Sequence, residues 1–186
     1  MKKQILVIMP GAMELGGVEK SLIGLLSGLD YDHYEVDLFL YGHHGPLYSM
    51  IPSEVNILPE VKELAYLRSS LKEKIKHGCF YSAMLRLRDA LLSRGKGINY
   101  DKTWAQVMRY CVKPLSKQYD LALSFFLPFD FLDERVNAKV KAGWIHTDYS
   151  TEKHDLEFLK EQYSKPDIIV AVSEKSKEAF IQCVPE

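Results

Sequence analysis

The chain has 186 residues, 24 Lys+Arg against 25 Asp+Glu, and a formal net charge of -1. With 47% hydrophobic and 26% charged residues it is neither a disordered chain, a collagen-like repeat nor a disulfide-stapled miniprotein. Its length is that of one large domain whose core needs no metal or staple.

Cys79, Cys111 and Cys183 form no C-x-x-C pair, which argues against a zinc ribbon or a thioredoxin-type site and fits a reducing cytosol. The apolar run after Lys2-Lys3 stops at Pro10, too short for a signal-peptide core or for a membrane span of ~20 residues. The near-neutral charge hides a segregation. Residues 61–117 hold 13 Lys+Arg and 4 acids, a balance of +9, and the remainder balances at -10. Such asymmetry points to an anionic partner, a membrane surface or a nucleic acid.

In chain order, Gln4–Met9 is a continuous apolar run, the pattern of a strand buried on both faces. A glycine-rich loop follows, Pro10–Gly17, and then the period changes. Val18, Leu22, Leu25, Leu26 and Leu29 share one helical face. Glu35–Tyr41 and the short Val55–Leu58 read as further strands, the latter at a sheet edge, so the start is βαβ and implies a parallel sheet. Residues 61–117 read as helical throughout, with three apolar stripes: Val61, Leu64, Ala65, Leu71 and Ile75; Phe80, Ala83, Met84, Leu87 and Leu91, ended by Arg94-Gly95-Lys96-Gly97; and Trp104 to Leu115, distorted at Pro114. Strands resume at Leu121–Phe125, Lys139–Trp144 and Asp167–Val172. Thr151 is placed to cap a helix ending at Tyr163, and Ser173 to cap one over Glu174–Cys183. The expectation is an α/β domain over 1–186: a Rossmann-like, mostly parallel sheet of about six strands flanked by helices, with 61–117 as a basic helical insertion.

Two segments are candidate sites. Backbone N–H groups of the 10–17 loop, at a helix N-terminus, suit a phosphate, and glycines let the backbone approach a ligand closely. Gly11 and Gly16 have P-loop spacing, but Gly17-Val18 stand where Lys and Ser/Thr belong. A dinucleotide fingerprint fails because Met13 replaces the second glycine and Tyr41-Gly42, not an acid, end the second strand. Read blandly, the segment is a flexible turn, and Glu19 answers only to the helix dipole. Trp144–Tyr149 follows the C-terminal end of a strand, where open α/β sheets bind ligands, and His146 is its strongest candidate. The adjacent His43-His44 make a poor metal pair, and no metal site is expected. In the basic helices Lys72, Lys74, Lys76, Arg86 and Arg88 are candidates for docking on anionic headgroups. A solvated surface is the plainer alternative.

Together these pieces resemble the N-terminal domain of glycosyltransferase family 4, of the GT-B fold. The resemblance rests on the run from Ile5 through Gly16-Gly17-Val18-Glu19, on Val36–Gly42, on Trp144–Asp148 and on Val172-Ser173-Glu174. It implies transfer of a hexose from a nucleotide-sugar to an acceptor with retention of configuration, without a cofactor or catalytic metal, in a site between two Rossmann-like domains. It implies that Gly16 and Gly17 touch the donor diphosphate, that His146 acts at the reacting centre, and that Glu19, Lys20 and Asp148 stand at the acceptor site. It further implies that the nucleotide-sugar-binding C-terminal domain is absent from these 186 residues, so that the chain by itself is inactive. A polysaccharide or lipid-linked acceptor and a peripheral place on the inner membrane face are expected, and no nucleic acid. The alternatives are a non-catalytic α/β module binding a ligand or partner, and a nucleic-acid-binding protein using the basic segment.

Overall fold

The computed structural model describes residues 1–92, 100–147, 149 and 155–184. In chain order they form β1 (Lys3–Met9), α1 (Gly17–Ser27), β2 (Tyr34–Leu40), a 3-10 turn at Tyr48–Met50, β3 (Asn56–Ile57), α2 (Lys62–Ala65), α3 (Leu71–Lys76), α4 (Phe80–Leu92), α5 (Tyr100–Cys111), β4 (Gln118–Tyr119), β5 (Leu121–Ser124), α6 (Asp130–Glu134), β6 (Asn137–Ala138), β7 (Lys141–Ile145), α7 (Leu156–Tyr163), β8 (Ile168–Ala171) and α8 (Glu174–Cys183). Six strands make one sheet in the order β3-β2-β1-β5-β7-β8, every pairing parallel. The short β4 and β6 pair separately. This is the Rossmann-like α/β architecture expected, with the short third strand at the edge.

The apolar run of β1 explains its central place. Leu6 and Ile8 enter one core layer with Leu64, Leu67, Leu85, Trp104, Val107 and Met108. Ile5, Val7 and Met9 enter the other with Leu22 and Leu26 of α1. Each such Leu contributes ~1.5–3 kcal/mol by leaving water, which fixes α1 to the sheet. Helices α2, α4 and α5 therefore cover one face of the sheet as well as carrying the basic charge.

Three readings need correction. The described residues of 61–117 form four helices, with turns around 66–70 and 77–79, and α5 ends at Cys111, before Pro114. The expected Lys139–Trp144 strand starts two residues later. Lys139 gives its N–H to the Tyr119 carbonyl and its ammonium to Asp120, and so belongs with the β4–β6 pair. Of the stripe Phe80, Ala83, Met84, Leu87 and Leu91, Ala83 is buried and the other four face outward, and Ser82 and Leu85 point inward with Ala83. The glycine stop at 94–97 and the Thr151 cap lie outside the described residues. Asp155 caps α7, accepting the Phe158 N–H at 3.2 Å, and Ser173 caps α8 as expected, accepting the Ser176 N–H at 3.1 Å.

Candidate functional site

The chain runs from β1 outward through β2 to β3, then returns to β5 on the other side of β1. That reversal is a topological switch point, and open α/β sheets bind ligands there, beyond the carboxyl ends of the strands. A cavity of 610 Å³ lies at this place. Met9–Ala12 and Glu14 after β1, Tyr41, Gly42 and His44 after β2, and Phe126–Pro128 after β5 line it. Val18 and Glu19 of α1, Leu64, Ala65, Leu67 and Arg68 around α2, Trp104 of α5 and Phe158 of α7 complete the wall.

The glycine loop is pinned rather than flexible. Gly42 N–H donates to the Gly11 carbonyl at 3.1 Å, Met13 N–H to the His44 carbonyl at 2.9 Å, and Leu47 N–H to the Met13 carbonyl at 3.0 Å. The Met13 side chain is fully buried. Gly45 holds φ at 108° with the Met13 carbonyl against its α-carbon, leaving no room for a Cβ.

The four loop and helix residues implied by the resemblance divide. Gly16 is the N-cap of α1 and makes no side-chain cap bond. The Glu19 carboxylate folds back onto it, filling the space a Cβ would take. The helix N-terminus thus already faces an internal anion, the electrostatic role proposed for Glu19 on dipole grounds. Over Gly17 the space is empty. Glu19 lines the cavity, whereas Lys20 is exposed and does not.

His146 follows β7 and is half-buried. Its ring stacks on Phe125 at 5.3 Å and stands 5.7 Å from the Trp144 ring. Its Nε2 is buried with no partner among the described residues, and burial holds its pKa below the usual imidazole value. Burial thus favours its neutral form. It is not among the cavity's lining residues, although its stacking partner Phe125 directly precedes Phe126, which is. Asp148 lies outside the described residues.

The cavity floor holds residues that the sequence pattern did not single out as ligand groups. Tyr41 and Trp104 are buried with rings 4.9 Å apart and tilted by 41°. Tyr41 Oη and Trp104 Nε1 are left without a well-formed hydrogen bond among the described residues. Burial, with the Asp130 charge second, raises the Tyr41 pKa well above that of an ordinary phenol, so it stays a neutral donor. Tyr41 was legible as a strand end and Trp104 as a helix stripe. Nothing in either pattern shows that the two meet beneath a pocket.

Loop 126–129 is held from behind. Gln162 of α7, fully buried, accepts the Phe129 N–H at 2.7 Å and donates to Asp130 at 3.2 Å. Lys165 donates to the same carboxylate at 2.7 Å. Burial works against the Lys165 charge, but the bond and attraction to Asp130 outweigh it and raise its pKa.

The basic side chains do not form one free surface. Lys74 is 1% exposed. Its ammonium donates at 2.6 Å to each of the Tyr66 and Leu67 carbonyls just beyond α2, groups that a helix end leaves without partners. Burial, then the Arg86 charge, lowers its pKa. The expectation that Lys74 docks on headgroups is therefore wrong. Arg86 donates to the Ser69 carbonyl at 2.5 Å, and Arg88 holds Asp89 at 2.7 Å. Lys72 and Lys76 are exposed.

No described helix is long and apolar enough to cross a membrane. Compared with protein-family models and with curated proteins, the sequence matches none.

Proposed function

We propose that this chain is the acceptor-side half of a retaining glycosyltransferase of the GT-B type. It would serve transfer of a hexose from a nucleotide-sugar to a polysaccharide or lipid-linked acceptor at the cytoplasmic membrane face. The observation that carries this reading is the cavity at the switch point. Its wall combines apolar side chains with Glu14, Glu19, His44 and Arg68, it is bordered by a pinned glycine loop, and the rings of Tyr41 and Trp104 lie in its floor. Charged and polar side chains beside aromatic and aliphatic surface suit a sugar ring, whose hydroxyls need partners and whose C–H faces pack on apolar surface.

In this reading the N-terminus of α1 at Gly16 and Gly17 meets the donor's diphosphate. Glu19 must first leave Gly16, since its charge opposes a phosphate. Glu19 and Lys20 border the acceptor, and neutral His146 offers a hydrogen bond to the sugar at the reacting centre. Stabilising a departing diphosphate calls for donors on both sides of it, so transfer depends on a donor-binding domain facing these strand ends. No metal or cofactor is called for. A second reading is favoured by the Glu19 carboxylate itself: with an anion already at the helix N-terminus, the chain would be a non-catalytic module taking a neutral glycoside alone.

Saturation-transfer NMR on the 186-residue chain tests the proposal. The panel comprises hexosides, a lipid-linked glycoside in micelles and nucleoside-diphosphate hexoses. Acceptor-class ligands are expected to receive saturation, and Ala65→Trp, which fills the cavity from α2, to abolish it. No saturation for any member of the panel contradicts the proposal. Binding of neutral glycosides with no response from any nucleoside-diphosphate hexose, even with a donor domain added, favours the module.

A further inference from the structure

Helix α4 carries large apolar side chains on its outer side. Phe80, Met84, Leu87 and Leu91 are 66%, 57%, 52% and 74% exposed. At 3.6 residues per turn they fall within about 60° of arc and run about 16 Å along the axis. The opposite side, with Ser82 and Leu85, is buried. Leu71 and Ile75 of the neighbouring α3 are exposed as well. A contiguous apolar row of this kind on an otherwise polar surface marks an interaction site.

The charge around the row selects the partner. Of the seven Lys+Arg in residues 61–92, Lys74 is buried, Arg86 is bonded to the Ser69 carbonyl, Arg68 lines the cavity and Arg88 is paired with Asp89, so that Lys72 and Lys76 supply the charge beside the row. Lys72 makes no ion pair among the described residues, and Lys76 has only Glu73 at 3.9 Å, both groups exposed. Arg88 lies next to Met84 on the helical wheel, about 40° further round, but its charge is matched by Asp89 at 2.7 Å. A second copy pairing through the same face would bring the same cations, Lys72 and Lys76, and no added acid to balance them. An anionic bilayer complements both features: apolar side chains enter the headgroup boundary while cations stay over the phosphates.

We propose that the outer face of α3 and α4 docks this protein on anionic lipid bilayers. Phe80, Met84, Leu87 and Leu91 insert, and Lys72 and Lys76 lie over the headgroups. The buried Lys74 and the bonded Arg86 hold the helices together and take no part. The inference stands apart from the reading of the cavity, since none of the inserting residues lines it.

Co-sedimentation of the full chain with vesicles tests it, using equimolar phosphatidylglycerol and phosphatidylcholine against phosphatidylcholine alone. Met84→Glu/Leu87→Glu is expected to weaken binding to the anionic vesicles at least tenfold. Lys72→Glu/Lys76→Glu should weaken it at low salt by about fivefold per residue or more. Ile181→Glu, at an exposed site on α8, should leave it unchanged. Met84→Trp should shift its fluorescence to the blue on adding anionic vesicles. The altered side chains are exposed, and a thermal melt confirms folding of each variant. Absence of binding to anionic vesicles, or binding that Met84→Glu/Leu87→Glu leaves intact, overturns the proposal. So does a dimer that this variant dissolves without any vesicle binding, which would make the face a contact between copies.

Discussion

Single residues fix the cavity's floor and one side of the sheet. At Gly45 a methyl group meets both a φ of 108° and the Met13 carbonyl. Gly45→Ala is therefore expected to cost about 2 kcal/mol or more, read from urea unfolding, and to loosen the glycine loop, read from amide exchange at Met13. On β2 the buried Asp37 accepts bonds from Asn56, Tyr119 and Lys117 at 2.7, 2.8 and 3.0 Å. Burial pushes its pKa up, but the three bonds outweigh it and the net direction is down. Because the folded pKa is the lower one, this contribution is present above the ordinary carboxylate pKa of about 4 and is lost as pH falls through the folded value. Lys117→Ala leaves Asp37 without its counter-charge and should cost about 3 kcal/mol at pH 7. The loss should shrink in acid, and an equal loss at pH 3 and pH 7 would contradict this. His146 makes a complementary statement. Its folded pKa is depressed by burial, so its contribution is present above about pH 6.5 and falls away as pH drops towards the folded value. Proton NMR of its ring should give a midpoint below that of free imidazole, and a higher midpoint would mean an unseen acidic neighbour.

Elements set what residues alone do not. Helix α7 acts on the cavity through Gln162, which holds Phe129 and Asp130 and hence the wall at Phe126–Pro128. Gln162→Leu removes both bonds and strands a buried N–H, at a cost of about 1–3 kcal/mol. The expected signature is loss of ligand binding at the cavity while the α1 side of the sheet keeps its amide protection. Uniform loss of protection would show Gln162 to be a general core residue instead. The helices between β3 and β4 show how a periodic pattern falls short. In α1 the stripe at Leu22 and Leu26 is the buried one, because a sheet lies beneath it. In α4 an equally regular stripe faces out. Period tells that residues share a face, and which face is covered depends on neighbours far away in sequence. Lys74 is the converse, a charged residue amid a basic run that folds inward because the end of α2 leaves carbonyls to be satisfied.

At the scale of the molecule, much of the fold was legible. Continuous apolar runs gave the strands buried on both faces, and their order with the α1 stripe gave the parallel sheet. The candidate site was legible in part. Met9–Ala12, Glu14 and Glu19 line the cavity while Gly16, Gly17 and His146 are not among its lining residues, and the contribution of Gly42–Leu47 is made through backbone bonds, which side-chain patterns do not encode. The switch point arises from strand order, so the meeting of Tyr41, Trp104 and the glycine loop around one cavity required the folded chain. The central claim is that this cavity binds a sugar. The most direct measurement is a backbone-amide chemical-shift map of the 186-residue protein during titration with acceptor glycosides and nucleoside-diphosphate hexoses. Saturable shifts are expected at Gly11, Ala12, Glu14, Gly42, His44 and Arg68, with Gly16 and Gly17 joining when the diphosphate sugar is present. Saturable shifts confined to surfaces away from the strands' carboxyl ends, or none at millimolar ligand, would contradict that claim.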